Sequence, residues 1–409
     1  VVADESHYVK DGKAKRTKAL VPILKRAKRC VLLSGTPALN RPRDLFTQLD
    51  ALRPGAMGTF GAFAKRYCDA RMKPWGWDAS GGSNLEELHG VLTGTYMHRR
   101  LKSVVADQLP RKRRECVRFE LAADAARAAN QAARALVESL RSNGGSEKGR
   151  FETLKALTAW GVTTARAKAG DVAARVAEIL ESGSGNKMLF FAHHRCMLDA
   201  MTNALRAARV PHVRIDGTTP SLERAIAVRR FQEETELRVA VLSIQACGQG
   251  ITLTAASDVV FGELHWVPAA MLQAEDRAHR IGQANAVNVH FLVTKDTVDD
   301  IMWGSVANKL ETLGQVLDGR RGDALDLKAS KPRAAPERTR EQRLETLVAR
   351  GDRSPGGRLM DAENRGGTPK RQGTLDAFVQ PKASQAPAQA PAPAPAPASS
   401  SRAICAAVN

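Results

Sequence analysis

Short apolar runs alternate with longer amphipathic segments along the second half of the chain, and this alternation predicts strands that alternate with helices. The predicted strands are residues 187–192, 212–215, 238–244, 258–261 and 287–294. The predicted helices are residues 193–207, 219–233, a segment that opens after Pro268, and residues 296–317. Apolar strands separated by helices are typical of a parallel sheet that is covered on both faces. The pattern therefore predicts an α/β fold for this half.

The first half shows the same alternation in a less complete form. Residues 1–3 and 30–34 are predicted strands, residues 13–28 and 43–52 are predicted helices, and residues 54–95 have no clear period. A stretch rich in Ala, Arg and Glu, residues 121–182, predicts helices with a break near 142–149. We therefore divide the folded part into an incomplete first α/β lobe at 1–120, a helical linker at 121–182 and a second lobe at 183–318.

Beyond residue 318 the composition changes. Residues 319–409 contain 16 Lys or Arg and 9 Asp or Glu, and the run at 386–401 is almost entirely Ala, Pro and Ser. Such a segment cannot bury enough apolar surface to fold, so we predict a disordered basic tail with polyproline character near its end.

Charge and cysteine usage narrow the class of partner. The 409 residues have a net charge of +19 and a pI of about 10.0, which favours a polyanion, nucleic acid before a membrane. No stretch has the apolar length of a membrane span.

The six cysteines are scattered without a C-x-x-C pair, which argues against a zinc module and suits a reducing compartment. Because the chain opens with Val inside a predicted strand, we expect it to be part of something longer.

An acidic pair follows the first predicted strand. Asp4 and Glu5 come directly after Val1-Val2-Ala3, at the carboxyl end where open α/β sheets bind ligands. Asp4 would hold Mg²⁺ through water, and Glu5 would polarise an attacking water. The alternative is that the two acids only complement a helix N-terminus. One helix and one strand later, the turn Ser34-Gly35-Thr36-Pro37 exposes two hydroxyls at the same edge.

An arginine-containing segment, Gln273 to Gln283, has the periodicity of a helix that opens after Pro268 and stops at Gly282. Gln273, Arg277 and Arg280 stand at i, i+4 and i+7, which predicts one shared face. Two arginines on one face can grip a phosphate, although a solvated basic stripe is the ordinary alternative.

Four further features carry weaker predictions. Gly248 and Gly250 let the backbone approach a ligand closely, or they belong to an ordinary turn. Trp75 and Trp77 either stack on bases or form a small core under a loop, and the second interpretation is favoured. The basic residues within 99–114 are a phosphate track, a nuclear localisation signal or a solvated linker. His193-His194 lacks a third metal ligand at sensible spacing, so a loop role is favoured.

Four of these motifs together resemble motifs II, III, V and VI of superfamily-two helicase motors, in order and spacing. They are Asp4-Glu5-Ser6-His7, Ser34–Pro37, the loop at 248–253 and Gln273–Gln283. The ending His-Arg-Ile-Gly-Gln is similar to the Swi/Snf branch, the double-stranded DNA translocases. Residues 72–88, 190–194, 214–218 and 273–293 resemble the annealing-helicase, HARP-type subgroup of fork remodellers. The resemblance covers about residues 1–317.

The resemblance implies two RecA-like parallel-sheet lobes that bind ATP and Mg²⁺. Asp4, Glu5 and His7 would come from the first lobe, and Gln273, Arg277 and Arg280 from the second, with the two arginines acting on the γ-phosphate. Gly248 and Gly250 would lie close to the nucleotide. Ser34, Thr36 and Thr252 would couple the nucleotide to the DNA backbone. The implied protein is a monomeric nuclear motor on forked or duplex DNA.

The chain departs from the family pattern at one point. It contains no Gly-x-x-x-x-Gly-Lys-Ser/Thr phosphate loop, so we expect the 409 residues alone to be inactive as an ATPase.

The tail contains one motif of its own. Gln372, Leu375 and Phe378 resemble a sliding-clamp binding box in which Val379 replaces the second aromatic residue. Two other functions stay open: a nucleosome remodeller of the same motor branch, and a motor-dead adaptor that binds DNA and the clamp.

Overall fold

The computed structural model describes residues 1–73, 76–100, 109–142, 147–182, 185–246, 250–319 and 403–408. These residues form two compact units. The first contains residues 1–105 and 312–321 with the C-terminal segment, and the second contains residues 106–311.

The secondary structure follows the predicted alternation closely in the second half. The strands are β1 (Val2–Ala3), β2 (Cys30–Leu33), β3 (Arg71–Lys73), β4 (Gly76–Asp78), β5 (Met97–Arg100), β6 (Lys112–Phe119), β7 (Lys187–Ala192), β8 (His212–Ile215), β9 (Val239–Ser243), β10 (Ala256–Phe261), β11 (Val287–Thr294) and β12 (Ala403–Val408). The α-helices are α1 (Lys15–Arg26), α2 (Phe46–Leu52), α3 (Phe60–Tyr67), α4 (Leu85–Val91), α5 (Ala123–Ser142), α6 (Glu147–Ser182), α7 (Arg195–Ala207), α8 (Ser221–Glu233), α9 (Pro268–Glu275) and α10 (Val298–Asp318). Short 3₁₀ turns at Ser6–Val9 and Pro42–Leu45 and a π turn at Leu92–Tyr96 complete the list.

The first unit is built on a parallel sheet in the order β1-β2-β12-β5. Its second-last strand comes from the C-terminal segment: Cys405 lies opposite Leu32 on one side and Met97 on the other. This corrects the prediction that the whole tail is disordered. The sequence Ala-Ile-Cys-Ala-Ala-Val is apolar, but the Pro-rich run just before it dominated the compositional prediction.

The stretch at 54–95, which has no clear sequence period, folds as α3, the β3–β4 hairpin and α4. Thr59 caps α3, because its Oγ1 accepts a hydrogen bond from the Ala62 amide at 3.3 Å. Phe63 and Leu88 from these helices are buried in the core of the unit, together with Leu24 and Leu32. The end of α10 joins the same core through Val316.

The second unit contains a six-stranded, wholly parallel sheet in the order β6-β11-β10-β7-β9-β8. Its central strands are buried on both faces, as Phe190, Phe261 and Phe291 illustrate. The predicted α/β class is confirmed. The sheet includes β6, which the sequence assigned to the first lobe. The alternating basic residues of β6 conceal an edge strand that pairs with β11 along its whole length.

The helices predicted as a linker pack within the second unit. Val172 and Val176 of α6 belong to the same apolar cluster as Phe190. Lys168 of α6 is buried and forms an ion pair with Asp299, with its Nζ 2.7 Å from the carboxylate. Within the described ranges, no helix combines the length and the apolar character needed to cross a membrane.

Candidate nucleotide and DNA site

The acidic pair lies directly beyond the end of β1. Glu5 has a φ of 49°, in the left-handed region, which a non-glycine residue adopts at an energetic cost and which often marks a functional site. Its amide donates to Asp4 Oδ1 at 2.8 Å, so the two residues form one tight turn. Both residues are exposed, and the Glu5 side chain is 47% accessible. Two carboxylates are therefore held at the carboxyl edge of the sheet and face solvent.

A buried histidine connects the acidic pair to the Ser34–Pro37 turn. His7 Nδ1 lies 3.2 Å from Glu5 Oε2 and 2.9 Å from Ser34 Oγ. Ser34 Oγ in turn accepts a hydrogen bond from the Thr36 amide at 3.2 Å. Burial, with a smaller contribution from the positive charge of Lys10, lowers the pKa of His7 to about 4. The ring is therefore neutral at pH 7, and its contact with Glu5 is a polar contact rather than an ion pair.

A second set of hydrogen bonds connects the segment after the acidic pair to the Ser34–Pro37 turn. Ser6 Oγ donates to Gln48 Oε1 at 3.0 Å, and Gln48 Nε2 donates to the carbonyls of Pro37 at 2.7 Å and Asp44 at 3.1 Å. Ser6 and Gln48 are both buried. Because buried hydrogen bonds of this kind are costly to break, they fix the segment that follows the acidic pair to the Ser34–Pro37 turn.

In the second unit, the arginine segment differs from the predicted helix. α9 begins at Pro268 and ends at Glu275, so Gln273 is helical whereas Arg277 and Arg280 lie in the turns that follow. The prediction that Gln273, Arg277 and Arg280 share one helical face was therefore wrong. Two carbonyls in the turns after the helix accept hydrogen bonds from other segments. The carbonyl of Arg277 accepts from the Leu253 amide at 2.9 Å, and that of Ala278 accepts from Gln283 Nε2 at 3.1 Å.

The two arginines nevertheless meet the glycine-containing loop. Arg277 is buried and its Nη1 donates to the carbonyl of Ile251 at 3.4 Å, a weak contact. Arg280 is exposed and its Nη1 donates to Thr252 Oγ1 at 3.3 Å. Gly250 has a φ of 38°, which glycine tolerates. Gly248 lies outside the described residues. Long-range contacts thus bring together the two sequence motifs that precede and follow β10.

A buried carboxylate that sequence reasoning missed anchors the end of α9. Glu275 is fully buried, and its carboxylate accepts from Arg114 Nη2 at 2.8 Å and Nε at 2.9 Å. Lys112 Nζ lies 3.1 Å from the same carboxylate. These two residues are ion-paired within β6, an arrangement that none of the three sequence interpretations of the basic segment predicted. The alternation of basic residues along a strand was the available sequence signal.

A second missed carboxylate organises the carboxyl edge of the second sheet. Glu263 Oε2 accepts from the amides of His193 and His194 at 2.9 and 2.8 Å, and its Oε1 lies 2.5 Å from His194 Nδ1. The interaction with His194 keeps the pKa of this buried carboxyl below its usual value, although burial alone would raise it. The predicted loop role of the two histidines thus has a structural basis, the turn from β7 into α7.

The donor set fits a magnesium nucleotide rather than a resident metal. Among the residues that the structure describes, no group of three or more His, Cys, Asp or Glu side chains could hold a metal ion. Mg²⁺ is commonly bound by one or two carboxylates together with water and substrate phosphates, which suits the exposed pair Asp4 and Glu5. The predicted clamp box at Gln372, Leu375, Phe378 and Val379 lies outside the described residues.

Comparison with known proteins agrees with the motif order. Residues 1–160 match the SNF2-related domain family, and residues 171–282 match the helicase conserved C-terminal domain family. Over 326 residues the chain is 46% identical to the DNA annealing helicase and endonuclease ZRANB3 of Bos taurus, covering 78% of this chain and 30% of that protein. Over 315 residues it is 45% identical to the SWI/SNF-related matrix-associated actin-dependent regulator of chromatin subfamily A-like protein 1 of Xenopus tropicalis, covering 77% and 33%.

The chain is also similar to a solved structure, at lower identity. It is the Sulfolobus solfataricus SWI2/SNF2 ATPase core in complex with double-stranded DNA, with 24% identity, a TM-score of 0.44, and coverage of 79% of this chain and 69% of that one. The chain spans about a third of the length of the curated relatives that it matches. On the two domain matches and the identity to these relatives, the chain belongs to the SWI/SNF branch of the superfamily-two helicases.

Proposed function

We propose that these residues form part of an ATP-driven DNA translocase that remodels and reanneals forked DNA. The observation that carries the proposal is the series of polar contacts from Glu5 to His7, and from His7 through Ser34 to Thr36. A motor needs such a connection, because the state of the nucleotide must change the grip on DNA. The SNF2-related and helicase C-terminal families, to which the chain belongs, are families of ATP-hydrolysing enzymes.

Each unit supplies part of the chemistry in this proposal. Asp4 would hold Mg²⁺ through water, and Glu5 would polarise an attacking water. Arg277 and Arg280 would neutralise charge that develops on a γ-phosphate, and Gln273 would help to place the water. ATP with Mg²⁺ supplies the phosphoryl group and the charge that these side chains bind.

The geometry of the second unit supports a similar coupling there. Arg280 is hydrogen-bonded to Thr252 Oγ1, so a phosphate that draws Arg280 away releases that hydroxyl. We propose that Thr252, together with Ser34 and Thr36, then contacts a DNA phosphate. Phosphate contacts of this kind carry no sequence information, which suits a motor that tracks any duplex.

Forked DNA is proposed as the substrate because of the activity that the name of a related protein states. That name states an annealing helicase activity. The net charge of +19 favours DNA as the polyanion. A nuclear, monomeric protein that acts in replication and DNA repair completes the proposal. The clamp box at 372–379 would tether it to the replication clamp, a proposal that the sequence alone supports.

The proposal is tested by measuring ATP hydrolysis by the native protein with forked, duplex and single-stranded DNA. Hydrolysis should rise most with forked DNA. Arg280→Ala should reduce turnover about 10³-fold, as removal of an arginine that acts on the transferred phosphate does. Arg209→Ala, an exposed arginine in the loop after α7, is the matched control and should leave turnover unchanged. Stimulation by nucleosomes over naked forked DNA would instead favour a remodeller.

The expectation that the 409 residues alone are inactive has its own test. An antibody against residues 320–409 gives the size of the native product. A band near 44.2 kDa would favour the motor-dead adaptor, and a much larger band would favour the ATP-driven motor.

A further inference from the structure

The β3–β4 hairpin of the first unit has its apolar face directed toward solvent. Met72 and Trp77 are opposite each other across the two strands, so their side chains share one face. Met72 is 73% exposed and Trp77 is 43% exposed. Among the described residues, neither belongs to the apolar cluster that forms the core of the first unit. The favoured sequence interpretation, a small core under a loop, therefore does not apply to Trp77.

The other face of the hairpin is polar and is partly covered. Lys73 and Asp78 form an ion pair there and both are partly buried, and the Ser80 amide donates to Asp78 Oδ1 at 3.1 Å. A two-stranded hairpin is marginal in water on its own, and these contacts hold it in place. Soluble proteins normally arrange a hairpin with its apolar face inward. The reversed arrangement, with a rigid base and an exposed aromatic face, is typical of a binding surface.

The size of the apolar face restricts what it can bind. Two side chains are far smaller than the roughly 800 Å² per partner of a stable protein interface. They do match the face of one nucleobase, and tryptophan is a suitable stacking platform for any base. Residues 1–100 contain 18 Lys or Arg and 9 Asp or Glu, so the surroundings favour a polyanion over an acidic or neutral peptide.

We propose that Met72 and Trp77 form a stacking platform for an unpaired nucleobase at the junction of forked DNA. A base within a duplex is already stacked on its neighbours and presents no free face, whereas a base in an unpaired arm does. The platform therefore adds affinity only where the duplex ends, and it directs the motor to junctions without reading sequence. This inference rests on the proposed function and specifies how the fork is distinguished from plain duplex.

The test compares the binding of Trp77 variants to two DNAs of equal length, a fork and a blunt duplex, at one fixed salt concentration. Trp77→Leu keeps apolar bulk but removes the aromatic face, and Trp77→Phe keeps a smaller aromatic face. Trp77→Leu should weaken fork binding about tenfold, because stacking on one base contributes about 1–3 kcal/mol. Trp77→Phe should stay within about threefold of the wild type on the fork. Both variants should leave duplex binding unchanged.

A fluorescent readout and a matched variant complete the design. 2-Aminopurine in the unpaired arm next to the junction should be quenched by the wild-type protein and much less by Trp77→Leu. Leu222→Ala removes an exposed apolar side chain from the second unit and should change neither readout. Since Trp77 is outside the core, the thermal unfolding of its variants should match the wild type.

Several results would overturn the inference. The inference fails if Trp77→Leu binds forked DNA as tightly as the wild type does. That result would identify the hairpin face as a protein contact or as inert. Equal losses on fork and duplex, or equal losses in the Leu and Phe variants, would also overturn the inference. In those cases DNA binding by the wild type would remain, and the proposed function would stand. Failure of the wild type to bind either DNA would overturn both.

Discussion

The ion pairs around Glu275 give a prediction that can be worked out from the structure. Glu275 is fully buried at the end of α9, and Arg114 meets its carboxylate with two nitrogen atoms at 2.8 and 2.9 Å. Arg114→Met keeps most of the apolar stem and removes the guanidinium. It leaves a buried carboxylate with Lys112 as its remaining ion-pair partner in the structure, at 3.1 Å.

The expected loss is large. Removing one partner of a buried ion pair destabilises a protein by about 3–5 kcal/mol, and the remaining Lys112 places this case near 3 kcal/mol. With a urea dependence of about 3 kcal/mol per molar, the unfolding midpoint of the second unit should fall by about 1 M. The neighbouring substitution Arg113→Met is the control. Arg113 points to the opposite face of β6 and is exposed, so its midpoint should move by no more than about 0.2 M.

The assay is urea unfolding followed by circular dichroism, with ATP turnover measured on the same samples. Because Glu275 fixes the chain two residues before Arg277, turnover by Arg114→Met should fall even in the absence of urea. A double variant, Arg114→Met with Glu275→Met, should recover most of the stability, since a buried apolar pair is often as stable as the ion pair that it replaces. Equal midpoints for Arg113→Met and Arg114→Met would refute the reasoning, and so would a double variant less stable than Arg114→Met.

Two further predictions concern the buried histidine and the tail. The pKa of His7 is about 4 in the folded protein and about 6.5 when exposed. As the pH falls, the unfolded chain therefore takes up the extra proton first. The contribution of His7 to the free energy of unfolding should be complete above pH 6.5 and should fall as the pH drops toward 4. His7→Asn should flatten that part of the urea midpoint–pH curve, and an unchanged curve would contradict the prediction. Phe378→Ala should abolish binding of a replication sliding clamp in a pull-down, and Val379→Ala should weaken that binding less. The reason is that Phe378 is the aromatic residue that fills the groove of the clamp. Clamp binding that survives Phe378→Ala would rule out the clamp-box hypothesis.

Local patterns predicted most of the second unit. The strands β7, β8 and β11 occur at the predicted residues, because a buried parallel strand is an almost continuous apolar run with polar ends. The order of the four motifs also predicted the family. These features depend on neighbouring residues and on spacing, which a single sequence contains.

The features that were missed depend on distant partners. α9 ends at Glu275, and the turns after it are held by hydrogen bonds from Leu253 and Gln283, which the local period does not show. β6 looks like a basic linker in the sequence because Glu275, the ion-pair partner of Lys112 and Arg114, lies more than 150 residues later. The role of Glu263 in the turn after β7 likewise requires a residue far along the chain. Periodicity cannot reveal such pairings.

The most direct test of the motor proposal is the ATP turnover of a Glu5→Gln variant of the native protein with forked DNA. The substitution keeps the size and polarity of the side chain and removes the charge that polarises water. We predict that turnover falls at least 10²-fold, the order expected for loss of a general base, while binding to forked DNA is unchanged. Turnover that survives in Glu5→Gln would contradict the account, because the acidic pair at the end of β1 would then not be the centre of the chemistry.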